Sequence, residues 1–166
     1  MATTNKALLA KLQKTAGVLV ERHDVHSDVL RSRSVSLNST FGKGWGLPRG
    51  MGIALYGPPK GGKSLLIADF AGALHQSDPD AVVVKIDTEF RDEAQFPEPM
   101  LRAWGIDPNR YICRQTNSSA EVFDWIADEK DGLYGMIKEG LPIKLVVIDS
   151  ISSICGRRME QAESSA

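Results

Sequence analysis

Eight consecutive residues, Gly57-Pro58-Pro59-Lys60-Gly61-Gly62-Lys63-Ser64, constrain this chain more than any other stretch, because they fit G-x-x-x-x-G-K-[ST] without a mismatch. Ile53-Ala54-Leu55-Tyr56 ahead of them reads as the end of a buried strand running from about Met51 to Tyr56, and Leu65 to Ala71 behind them reads as a helix. Strand, glycine-rich loop and helix in that order make a phosphate-binding loop. The glycines let the backbone wrap an anion with its N–H groups pointing inward, and the helix start adds its positive dipole end. Lys63 is then the charge placed on the β- and γ-phosphates of a nucleoside triphosphate, and Ser64 supplies a hydroxyl to Mg²⁺.

The rest of the composition allows one ordinary globular unit. The chain has 166 residues, 42% of them hydrophobic and 25% charged, with a formal net charge of −1. That balance gives no bulk support for DNA binding, although residues 1–34 carry six basic side chains against three acidic ones. A solvated helix face is the simpler reading of that local excess. Cys113 and Cys155 lie too far apart for a zinc spacing and are expected as buried thiols. No apolar run approaches the length that spans a bilayer, and the first residues lack a signal peptide's apolar core, so a cytoplasmic location is expected.

In chain order, Leu8, Leu12, Ala16 and Leu19 recur at helical spacing over residues 5–21, and residues 1–34 form an N-terminal helix and linker. His23 and His26 receive no role. Residues 35–50, rich in glycine, read as a connector of turns, and the core is expected over residues 35–166. The helix from Lys63 to about His75 places Leu66, Phe70 and Leu74 on one face. Leu65, Ile67 and Ala71 make its other sides apolar too, so it is expected to be well buried. Ala81 to Ile86 is a continuous β-branched run of the kind found in doubly covered parallel sheets, and it ends in Asp87-Thr88-Glu89. A short helix at Pro99–Trp104 and a short strand at Tyr111–Cys113 follow. A helix then opens on a capping box of Ser118 and Glu121 and is interrupted near Gly132. Finally Leu145-Val146-Val147-Ile148 runs into Asp149-Ser150.

Alternating strands and helices imply an α/β fold with a mostly parallel sheet and helices on both faces, whose ligands gather at the carboxyl ends of the strands. An apolar strand ending in Asp149, about 85 residues after the loop, fits the Walker B pattern, in which the carboxylate organises the Mg²⁺ shell. Glu89 ends another strand on the same side of the sheet, and two such strand-end carboxylates beside a phosphate loop are the acid arrangement that nucleotide hydrolysis requires.

Together these pieces resemble the RecA-like strand-exchange recombinases of the phage UvsX and bacterial RecA type. The resemblance runs from about residue 35 to 155. It is carried by Ser36-Leu37-Asn38 through Gly46-Leu47-Pro48-Arg49-Gly50, by the P-loop, by Ile86-Asp87-Thr88-Glu89-Phe90, by Trp104-Gly105-Ile106-Asp107-Pro108 and by Val147-Ile148-Asp149-Ser150. The resemblance implies a P-loop ATPase of the RecA-like type that uses ATP and Mg²⁺. Glu89 and Lys63 would be catalytic, residues Gly57 to Ser64 would hold the nucleotide, and Ser64 and Asp149 would hold the metal. It also implies filaments of like subunits, with the N-terminal helix packed on a neighbour, on single-stranded DNA paired with homologous duplex. The adenine contact falls on Phe96 by one alignment and on Arg91 by another.

The family core continues past its Walker B strand through DNA-binding loops and a strand with a glutamine sensor. This sequence therefore reads as an N-terminal fragment, and the strand expected between the P-loop strand and the Walker B strand lies outside it. A helicase-type or clock-type ATPase of the same superfamily, and a non-catalytic nucleotide-binding adaptor, remain alternatives.

Overall fold

The computed structural model describes residues 28–41, 45–92 and 96–155. The helix expected over residues 5–21 lies outside them. Strand β1 (Val29–Leu30) pairs antiparallel with β2 (Leu47–Pro48), and helix α1 (Val35–Thr40) lies between. That helix falls where the glycine content predicts only turns. Its start is set by Ser34, whose Oγ accepts the Leu37 amide at 3.3 Å, a local cap that outweighs the breakers further on. Asn38 is buried and clamps the chain ahead of the helix: its Oδ1 accepts the Ser32 amide and its Nδ2 donates to the Ser32 carbonyl, both at 2.8 Å. Arg33, counted above among the basic residues, is held within the fold by Asp69 at 3.0 Å and stacks over Trp104.

The main sheet is parallel, in the order β4 (Tyr111–Gln115), β3 (Val82–Asp87), β5 (Ile143–Asp149). β3 is central and almost wholly buried, which is why it reads as an unbroken β-branched run. On one face Val83 packs with Ala68, Ala71 and Leu74 of α2 (Lys63–Ser77) and with Leu101 of α3 (Glu98–Ala103). On the other, Val84 packs with Trp125 and Ile126 of α4 (Ser119–Ala127) and with Leu133 and Met136 of α5 (Leu133–Lys138). Helices on both faces are the expected architecture. Gly72 brings α2 against the Trp104 carbonyl, a place with no room for a Cβ. The break between α4 and α5 falls at Gly132, as the sequence suggests.

Several local expectations need correction. Leu65 is exposed, because α2 meets the sheet through Ala68, Ala71 and Leu74 and leaves its first turn at the surface. The capping box is half made: Ser118 Oγ receives the Glu121 amide at 3.5 Å, but the Glu121 carboxylate turns to Thr116 Oγ1 at 2.8 Å, a nearer donor. Cys113 is exposed on the outer strand β4 and Cys155 is only partly covered.

The largest correction concerns the strand expected over Met51–Tyr56. Among the described residues this segment pairs with no strand, and it is exposed throughout, with Tyr56 at 95%. A strand exists only where a neighbour accepts its ladder, and the sequence pattern cannot supply that neighbour. Among the described residues β5 pairs with β3 alone, and its other edge pairs neither with the segment 51–56 nor with another strand.

Hydrogen exchange will test that edge. The Thr88 amide donates to the Asp149 carbonyl at 2.9 Å, so Asp149 faces β3. Alternate residues of a parallel strand face opposite neighbours, which turns the Leu145 and Val147 amides to β3 and those of Val146 and Ile148 to the open edge. Val146 and Ile148 are expected to exchange faster than Leu145 and Val147 by roughly a hundredfold or more. Equal protection of all four amides would mean that a further strand occupies the edge.

Candidate functional site

The site lies at the carboxyl ends of β3 and β5, where α2 begins. Residues Gly57 to Gly62 form a surface loop whose backbone takes conformations that L side chains rarely adopt: φ is +157° at Gly57, +63° at Lys60 and +86° at Gly62. Nothing lies within 4 Å of the positions that a Cβ would take on Gly57 and Gly62, so the loop is open to its surroundings at these two residues. The Gly61 amide closes the turn on the Pro58 carbonyl at 3.2 Å, and Gly62 caps α2 without a side chain. Lys63 folds back over the loop, its Nζ donating to the Gly57 and Pro58 carbonyls, both at 3.0 Å. Pro59 and Lys60 are exposed at the loop's tip.

Ser64, in the first turn of α2, reaches the end of β5: its Oγ donates to Asp149 Oδ2 at 3.1 Å. The same carboxylate oxygen lies 3.1 Å from the Lys85 ammonium, which sits 2.8 Å from Asp92 Oδ1. Lys85 is only 2% exposed. Burial pulls its pKa down, but the hydrogen bond and charge of Asp92, followed by Asp149, outweigh burial and hold the ammonium above the ordinary lysine value. Tyr111 on β4 donates to Asp92 Oδ1 at 3.1 Å, and burial together with the Asp92 charge keeps this phenol protonated.

Glu89 is held by its own loop. Asp87 is buried and accepts three backbone amides, from Glu89 at 3.1 Å, Arg91 at 2.6 Å and Asp92 at 2.7 Å. Burial opposes the Asp87 charge, yet these N–H groups and Lys85 keep its carboxyl below the usual range. The loop is thereby wound around a carboxylate that presents Glu89 beside the end of β5. Glu89 Oε1 accepts Ser150 Oγ at 3.0 Å, and its Oε2 lies 2.9 Å from Arg91. Thr88 joins the two strand ends, its Oγ1 donating to the Ser150 carbonyl at 2.6 Å and accepting the Ser150 amide at 2.7 Å.

Lys63, Ser64, Asp149 and Glu89, scattered in sequence, thus converge on one side of the sheet. Of the two adenine candidates, Phe96 is buried in the core beneath the Lys85 ammonium, whereas Arg91 is exposed beside Glu89. Lys85, Asp92 and Ser150 have no assigned role in the sequence reading. A lysine inside a doubly covered apolar strand is the signal that points to the first two, since burying that charge demands carboxylate partners.

The arrangement suits a nucleotide with a divalent cation. The open loop offers backbone N–H groups and a lysine to phosphate, and the Ser64 hydroxyl beside the Asp149 carboxylate is a small oxygen donor set of the kind Mg²⁺ shares with phosphates. Among the described residues no group of three or more His, Cys, Asp and Glu forms a protein-only metal cage. No helix there is long and apolar enough to cross a membrane.

No family model matches the chain. It is similar to the protein RecA of Salinispora tropica, at 26% identity over 93% of this chain and 42% of that protein. It is also similar to RecA of Acidothermus cellulolyticus, at 26% over 82% of the chain and 35% of the relative. For RecA of Tropheryma whipplei the figures are 26%, 78% and 26%. The chain spans less than half the length of these relatives. In sequence, at low identity, the chain is thus similar to proteins named RecA, and its parallel sheet carries helices on both faces.

Proposed function

We propose that the chain is the nucleotide-binding part of an ATP-dependent DNA recombinase that assembles as a filament on single-stranded DNA and promotes homologous pairing in the cytoplasm. The contact of Ser64 with Asp149 carries this reading, because it sets the start of α2 against a strand-end carboxylate 85 residues away, beside the loop from Gly57 to Gly62 and with Glu89 in the loop after the neighbouring strand. The likeness to proteins named RecA supports it.

In this reading the loop from Gly57 to Gly62 binds the phosphates through its amides, and Lys63 neutralises their outer charge. Ser64 and Asp149 hold the cation, and Mg²⁺ when bound supplies charge neutralisation on the phosphate oxygens. Glu89 orients water and accepts its proton, with one carboxylate oxygen held by Ser150 and the other beside Arg91. Arg91, exposed next to it, is the candidate adenine contact.

The test is ATP hydrolysis by the natural protein that carries this sequence. Hydrolysis is expected to need Mg²⁺ and to rise when single-stranded DNA is added, with filaments visible by electron microscopy under the same conditions. Hydrolysis indifferent to DNA would favour another ATPase of the superfamily. ATP binding with no hydrolysis at all would favour an adaptor.

A further inference from the structure

We propose that Lys85 is a positioning residue for the Asp149 carboxylate and thereby sets how much Mg²⁺ the site needs to bind nucleotide, an inference that rests on the nucleotide reading above. The contacts form an unbroken series across four elements and the loop after β3: Tyr111 on β4 donates to Asp92 in that loop, Lys85 on β3 bridges Asp92 and Asp149, and Ser64 on α2 donates to Asp149 on β5. Lys85 and Ser64 converge on the same oxygen, Oδ2. A carboxylate fixed by two donors on one oxygen is held in one rotamer, and its other oxygen is free of those donors. Loss of a group that orients a metal-binding carboxylate in this way typically costs about 10- to 100-fold in metal affinity.

Burial gives the arrangement its rigidity. Lys85 is almost wholly shielded by protein: the Phe96 ring centre lies 5.5 Å from its ammonium, and the two carboxylates take up its charge. A lysine needed only for folding could have been replaced here by an apolar residue, as its β3 neighbours Val83, Val84 and Ile86 already show. The same lysine also ties Asp92, and through it the loop that carries Glu89, to the end of β5. The cation and water sides of the site therefore share one internal charge.

The test compares the wild-type chain with K85M/D92N. Lys85→Met alone strands a buried Asp92, whereas the double variant keeps net charge, keeps side-chain volume close and leaves an amide oxygen for Tyr111. Affinity for a fluorescent ATP analogue is titrated against Mg²⁺ and again in a chelator, with circular dichroism to verify folding. The Mg²⁺ concentration for half-maximal tightening is expected to rise about tenfold in K85M/D92N, with affinity in chelator unchanged. Tyr111→Phe, which removes only a donor to Asp92 and leaves Lys85 between both carboxylates, is expected to stay near wild type. A folded double variant with the wild-type Mg²⁺ midpoint would overturn the role of Lys85 while leaving the nucleotide reading standing. A wild-type chain that binds no analogue at any Mg²⁺ concentration would overturn both.

Discussion

Glu89→Gln is expected to leave ATP bound while hydrolysis falls by about 10²- to 10⁴-fold, the range that a positioned general base contributes. The structure explains why binding should survive. Glu89 makes no contact with the phosphate loop; its oxygens are engaged by Ser150 at 3.0 Å and by Arg91 at 2.9 Å. The amide oxygen of glutamine can still accept the Ser150 hydroxyl, so the side chain keeps its place. Its NH₂ cannot pair with the Arg91 guanidinium, but that ion pair is largely exposed and contributes little to stability. What is lost is the negative oxygen that polarises water. Phosphate release measured beside a calorimetric ATP titration separates the two effects, and near-wild-type turnover would move the role of base away from Glu89.

Lys63→Ala is expected to act at the other step and weaken ATP binding by roughly a hundredfold, equivalent to about 3 kcal/mol for a charged hydrogen-bonding group. In the structure the Lys63 ammonium rests on the Gly57 and Pro58 carbonyls, exposed above the loop. Its removal takes away the one side-chain cation that the motif places on the outer phosphates, while α2 keeps its start at Gly62 and its buried face at Ala68, Ala71 and Leu74. The melting temperature without nucleotide should therefore barely change. Calorimetric affinity equal to wild type would remove the loop from the binding site.

Much of the molecule was legible before the fold. The loop pattern placed the start of α2 at Lys63, the β-branched run marked the central strand, and Gly132 marked the break between α4 and α5. Each of these is a local property: turn chemistry, strand propensity and helix termination act over a few residues. Asp149 and Glu89 could be marked as strand-end carboxylates for the same reason.

What tertiary structure alone decided is which of those ends meet, and which pieces find a partner. The contact of Ser64 with Asp149 depends on how β5 is ordered in the sheet. The Lys85 bridge depends on the loop after β3 folding back, wound by three amides onto Asp87. Met51–Tyr56 shows the opposite case, a sequence with every mark of a strand that is not one among the described residues, because a ladder needs hydrogen-bonding groups on a neighbour as well as its own. Local propensity is written in adjacent residues. Pairing across the sheet, and the price of burying Lys85 without two carboxylates beside it, are set by residues distant in the chain that only the folded protein brings together.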